Sequence, residues 1–344
     1  MKKSGLHNGE TAHSRLRFYA KCALVCLPFM LLLFFYVWND PFKVLRDYDD
    51  YDHSEVCLDE GSMSWYKFRK LREKVHYDSF IMGTSCTMAY RCEDWNNYIK
   101  GRPYRFFGNA DGIIDLYLKL DAVDRQPRQP IRNLLLIFDR SLLAKDYVQT
   151  GPVGVMPSEV SHESEVSYQM TFVQEFFDPR FLLPYLQYRM THRFTDGMTG
   201  IINPNGQTRQ GDANDEFLPN EQKIKEMGES YWQSKTFKNF SDSSQPIREA
   251  HPVIFNTQLT YLKKIKAICD KHHTNVKIVI TPKNDRTVLN HRDVAIIENI
   301  FGKENVYNAN YRCFFDKHSY YDGSHYRLFV GRRIINDIYG KKTK

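Results

Sequence analysis

The sequence predicts an α/β fold. It reads as a three-layer domain on a parallel sheet, interrupted by one long insertion and carried on one N-terminal transmembrane helix. Three observations predict this. Residues 22–38 form an uncharged apolar run of 17 residues. Beyond it, short apolar runs are each followed by a turn and a helical stretch. More than a hundred residues of different character then separate the third run from the fourth. The 344 residues divide accordingly into a cytoplasmic tail (1–21), an anchor (22–38), a connector (39–74) and a domain (75–340) with an insertion at 144–251.

Composition narrows the classes. Hydrophobic residues make up 42% and charged residues 26%, which excludes a wholly disordered chain. A mean hydropathy of -0.55 excludes a multi-span membrane protein. With 23 Phe, 22 Tyr and 4 Trp, the chain suits a well-packed body or a surface whose rings stack on sugars.

The anchor comes first. With Phe18, Tyr19 and Ala20 beyond Lys21, the apolar run approaches the ~20 residues a bilayer span needs. Lys21 can snorkel to the headgroups, and Tyr36 and Trp38 suit the other interface. A buried core helix would show a polar face over this length. A cleaved signal would need small residues after the run, and Trp38-Asn39-Asp40-Pro41 offers none. An uncleaved signal anchor is therefore expected. Before it stand Lys2, Lys3, Arg15, Arg17 and Lys21 against Glu10, a balance of +4 out of the total +7. The positive-inside rule then keeps the N-terminus cytoplasmic and exports the rest through the cytoplasmic membrane. The exported part keeps only +3, too little to suggest nucleic-acid binding.

Residues 39–64 are polar and rich in Asp and Tyr, and read as a loop or arm. The apolar runs follow. Ser79 to Met82 is the first, ending in Gly83-Thr84-Ser85. The second, Tyr104 to Phe107, ends in Gly108-Asn109. The third, Leu134 to Phe138, ends in Asp139. The fourth covers 276–280 and a weaker fifth 305–307. Helical spacing of apolar residues marks 113–123, 256–272 and 294–301. Near-continuous apolar strands alternating with helices imply a parallel sheet covered on both faces. Inside the insertion, 168–193 and 220–232 read as helices and 197–211 as a loop. An insertion this long suggests a lid or substrate-binding subdomain. Its Phe176, Phe177, Tyr185 and Tyr188 suit either an acceptor groove or the lid's own core.

Seven cysteines are present, five of them in the exported part: Cys57, Cys86, Cys92, Cys269 and Cys313. One or two disulfides fit an oxidising compartment. There is no CxxC pair, so no structural zinc site is expected, and no cofactor motif occurs.

Ligands of parallel α/β sheets bind beyond the carboxyl ends of the strands. Ser85 stands there, in Gly83-Thr84-Ser85-Cys86, where a hydroxyl is lifted above the sheet beside free helix N–H groups. The same pattern also makes an ordinary helix N-cap. Asp322-Gly323-Ser324-His325 stands before a predicted helix at 326–338. The His can take a proton from a nucleophile while the Asp fixes its tautomer, or Asp322 or Ser324 can simply cap the helix. Gly108-Asn109 offers amide donors for an oxyanion, or a plain turn.

The order of these features resembles the SGNH/GDSL hydrolase superfamily: a serine after the first strand, then sheet strands, then a C-terminal Asp-x-x-His. The resemblance covers roughly 75–140 and 274–340. It implies Ser85 as nucleophile, His325 as general base and Asp322 as its orienting partner. It also implies Gly108 and Asn109 in the oxyanion hole, with the N–H of Ser85 or Cys86. Two departures stand out. The third block, normally Gly-x-Asn-Asp, reads Phe138-Asp139-Arg140-Ser141, and Asp139 would repel an oxyanion if it pointed inward. Thr84 replaces the usual Asp of the first block. In both losses the chain is similar to a divergent, membrane-anchored branch of the DltD and AlgX/AlgJ types, which transfer acyl groups to envelope polymers. Asn39-Asp40-Pro41-Phe42, just after the span, resembles that branch too.

The resemblance implies a serine O-acyltransferase or acyl-esterase on the outer face of the cytoplasmic membrane. A polysaccharide acceptor and a membrane acyl-donor protein are its expected partners, besides the lipid bilayer. The alternative is a non-catalytic envelope assembly or polymer-binding protein on a degenerate scaffold. Cys86 as a thiol nucleophile and His318 as the base are rival assignments. His272-His273 reads as a solvated cation pair at a helix end, and Asn239-Phe240-Ser241 matches a glycosylation sequon.

Overall fold

Alternation within the strands decides the layering. The computed structural model describes residues 7–234, 237, 240, 246–310 and 312–340. Five strands form one parallel sheet: β1 (Ser79–Gly83), β2 (Pro103–Arg105), β3 (Asn133–Phe138), β4 (Asn275–Ile280) and β5 (Val306–Asn308). Their order is β2-β1-β3-β4-β5. Successive side chains leave a strand on opposite faces. Phe80, Met82, Leu134, Leu136, Phe138, Ile278 and Ile280 enter one core, and Ile81, Leu135, Ile137 and Val279 enter the other.

Helices cover both faces. On the first lie α2 (Glu60–Val75), α4 (Ile113–Asp124), α10 (Asn256–Lys271) and α11 (His291–Phe301). On the second lie α3 (Cys92–Ile99) and α12 (Leu328–Tyr339). The short α5 (Arg140–Ala144) follows β3. The insertion adds α6 (Ser158–Ser161), α7 (Glu165–Phe177), α8 (Pro179–Thr191) and α9 (Pro219–Met227). The first helix, α1 (His7–Asn39), contains a stretch, Arg15–Asn39, long and apolar enough to cross a membrane.

Two sequence expectations change. The connector is not a free arm. Asp59 caps α2 through the N–H groups of Gly61 and Ser62, and the helix buries Trp65 and Phe68 in the sheet's core. Its serines hid the pattern. Ser64 is buried because its hydroxyl accepts from Phe107 N–H (3.3 Å) and from the Asn214 amide (3.1 Å). The single helix expected at 168–193 is two. Pro179 has no N–H to continue α7, and Asp178 closes α7 while its carboxylate caps α8 at Arg180 N–H (2.8 Å).

The insertion's aromatics are settled by packing. Phe176 and Tyr185 are buried in a third cluster with Phe172, Phe181, Tyr36, Phe42 and Tyr51, and Phe177 and Tyr188 pack against it. They join α7 and α8 to the connector and to the end of α1, and they do not line a groove. A two-strand hairpin, 209–210 with 215–216, covers the β2 edge, where Arg105 N–H donates to the Ala213 carbonyl (3.0 Å). Cys22, Cys26, Cys57, Cys86, Cys92 and Cys269 are free thiols, so no disulfide joins the described cysteines. The side chain of Cys313, Asn239 and Ser241 of the sequon, and Lys2 and Lys3 lie outside the described residues.

Candidate active site

The nucleophile turn depends on a close approach of strands. A Cβ on Gly83 would stand 2.5 Å from the Ile137 carbonyl oxygen, so only glycine lets β1 stay paired with β3 as the chain turns. A 3-10 turn, Ser85–Ala89, follows. Its cap is Thr84, whose hydroxyl accepts from Cys86 N–H (3.4 Å). Capping therefore falls to Thr84, and the half-buried Ser85 is left with its hydroxyl uncommitted to the backbone.

The second half of the site comes from the loop before α12. That helix starts at Leu328, with Arg327 at its cap position and no side-chain cap. Neither Asp322 nor Ser324 caps it, which removes the capping explanation of the Asp-x-x-His sequence. The Asp322 carboxylate turns into its own loop. It accepts from Ser324 N–H (2.7 Å), His325 N–H (2.9 Å) and His325 Nδ1 (2.8 Å). Burial pushes its pKa up, but the hydrogen bond and charge of His325 and the two N–H groups outweigh burial and hold it at about 2. An ionised carboxylate can only accept, so the proton between them sits on Nδ1. In the neutral imidazole that leaves the Nε2 lone pair facing Ser85 Oγ, 2.8 Å away.

Two devices bring the halves together. Gly331 of α12 sits against the nucleophile turn, where a Cβ would lie 1.9 Å from the Ala89 carbonyl oxygen. The insertion grips the Asp322 loop from outside. Tyr231 Oη donates to the Tyr321 carbonyl (2.8 Å) and Trp232 Nε1 to the Tyr320 carbonyl (3.2 Å). Glu221 accepts from Tyr321 Oη and Arg327 Nη2, both at 2.7 Å. Sequence reasoning missed these three residues. The Tyr231-Trp232 pair at the end of the predicted 220–232 helix was the available signal.

Asp139 is held by partners on either side of the nucleophile turn. Its carboxylate caps α5 at Leu142 N–H (2.8 Å), accepts from Thr84 Oγ1 (2.7 Å) and is bonded by the Ser141 hydroxyl. Burial pushes its pKa up, yet Lys283 and these donors more than offset burial and keep it below the usual carboxylate range. The charge is therefore held by its own partners. Thr84 and Asp139, the two departures noted in the sequence, are bonded to each other.

The remaining assignments separate. The Asn109 amide donates to the Val153 carbonyl (3.3 Å). Gly108 lies against the Asp111 carboxylate. Of the expected oxyanion donors, Asn109 Nδ2 and Cys86 N–H are thus engaged elsewhere. His318 is excluded as the base, because Nδ1 meets Asp316 (2.6 Å) and Nε2 meets Glu229 (2.8 Å). His272 is not left to solvent: its Nε2 lies 2.5 Å from Asp124. Cys86 is buried, and burial followed by the Asp139 charge pushes its thiol up to about 12. Negligible alkylation of Cys86 by iodoacetamide is therefore expected in the folded chain at mildly alkaline pH. Mass mapping checks this, and rapid modification would restore the thiol as a candidate nucleophile.

Chemically, the arrangement can remove a proton from Ser85 as its oxygen attacks an electrophile, and return that proton to a leaving group. No family model matches the chain, and no curated protein matches it either.

Proposed function

We propose that this chain is a membrane-anchored serine acyltransferase or acyl-esterase of the SGNH type, acting outside the cytoplasmic membrane on an envelope polysaccharide or related polymer. The observation that carries this reading is the unbroken line Ser85 Oγ, His325, Asp322, with both contacts at 2.8 Å. Ser85 attacks an acyl carbonyl as Nε2 takes its proton. The donor's leaving group then takes that proton from His325. A sugar hydroxyl attacks the acyl-serine next, giving its proton to Nε2, which passes it to Oγ as the acyl–Oγ bond breaks and Ser85 is restored. Water in place of the sugar gives hydrolysis. The +4 tail favours a cytoplasmic N-terminus, which would set the domain beside a membrane-borne acyl donor.

A second reading is a polymer-binding protein on the same scaffold without chemistry. What favours it is the commitment of Asn109 and Cys86 N–H to other partners. A serine-reactive fluorophosphonate probe separates the two on the full-length chain in membranes. Labelling mapped to Ser85 supports the enzyme. A folded chain that takes no label supports the scaffold.

A further inference from the structure

Helix α8 is apolar on two faces, and folding uses only one. Phe181 and Tyr185 point into the third cluster, each 3% exposed. Leu182 packs against that cluster. Leu183, Leu186 and Met190 fall together elsewhere on the wheel, within an arc of about 60° at 3.6 residues per turn. Leu183 is 63% and Met190 77% exposed. Phe194, 39% exposed, continues the stripe just past the helix. In a water-facing helix such a stripe is a liability.

Its position says what covers it. The α7–α8 pair packs on the apolar helix itself. The rings of Phe176 and Tyr185 lie 6.4 Å and 6.2 Å from Phe35, and Phe176 lies 5.1 Å from Tyr36. Leu32 packs against the same cluster. It precedes the helix end at Asn39 by about 10 Å of rise. The hairpin therefore reaches down beside the last two turns of the apolar run. Arg189 ties α8 to the connector through Glu55 (2.9 Å), and Arg180, bonded to Asp178, marks the other end of the stripe.

We infer that α8 lies in the headgroup–acyl boundary of the leaflet at the C-terminal end of α1, with Leu183, Leu186 and Met190 in contact with lipid chains. The occupant of the stripe is lipid, not a protein. The cations at its margins suit headgroups, as in other interfacial helices. The inference rests on α1 spanning the bilayer, and its test reads both.

The full-length chain is reconstituted in phosphatidylethanolamine–phosphatidylglycerol vesicles carrying a lipid with a photoreactive diazirine in its acyl chain. Crosslinked peptides are mapped after tryptic digestion, which releases residues 181–189 as one fragment. Crosslinks to both α1 and this fragment are expected. Crosslinks to α1 alone overturn the α8 assignment while leaving the anchor intact. Crosslinks to neither overturn the anchor, and the assignment with it. In a Leu183→Glu, Met190→Glu double variant, both changes at exposed positions, the yield at 181–189 is expected to fall roughly tenfold with α1 unchanged. An unchanged yield at 181–189 would also overturn it.

Discussion

Ser85→Ala is expected to abolish fluorophosphonate labelling and to cut turnover of a chromogenic acetyl ester by roughly 10³–10⁴-fold, with no loss of melting temperature. The size follows from what is removed. Without Oγ no covalent acyl intermediate forms, and His325 has only water to activate. The fold has little at stake, because Thr84 caps the turn and Ser85 makes its side-chain hydrogen bond to His325. A variant that keeps wild-type ester turnover while remaining folded would remove Ser85 from the nucleophile's role.

Asp322→Asn is expected to be nearly as costly, lowering turnover by roughly 10³-fold or more. The amide fills the same space but can donate to Nδ1. The imidazole then carries its proton on Nε2, facing Ser85 with a donor where an acceptor is needed. A stability signature accompanies this. The carboxylate's pKa is about 2 in the folded chain and ~3.9 when unfolded, so the unfolded state binds the proton more readily. The stabilisation is fully present above the unfolded value and is lost as pH falls toward 2. The melting-temperature gap between wild type and Asn variant should therefore be constant near neutral pH and shrink between about pH 4 and 2. A gap that stays constant through that window would show that Asp322 is not held ionised by His325.

How much was legible can be judged element by element. β1, β3 and β4 were legible because a strand covered on both faces is near-continuously apolar, whereas the three-residue edge strands β2 and β5 carry Arg105 and Asn308 and give a weaker signal. The line from Ser85 to His325 and Asp322 was legible only from the order of the two motifs and the family resemblance it carries, because each motif alone reads equally well as a helix cap. Contacts made across long separations were not. Nothing local tells that the Asn109 amide will spend itself on Val153, or that Tyr231 and Trp232 will bond the carbonyls of Tyr321 and Tyr320. Helix α2 escaped because buried serines look like loop residues until their partners are seen. Asp139 was legible as a departure but not in its effect, since the sign of its influence depended on where the carboxylate turned.

The grip of the insertion on the Asp322 loop has a consequence for modularity. Glu221, Tyr231 and Trp232 come from the insertion, yet they hold backbone and side chains on either side of Asp322 and His325. At its other end the same insertion is packed onto the C-terminal end of the apolar helix α1. The segment is thus no accessory that could be excised without loosening the loop of Asp322 and His325. It is a brace spanning from the end of α1 to the loop of Asp322 and His325, and the compact sheet between them is only part of the mechanical unit.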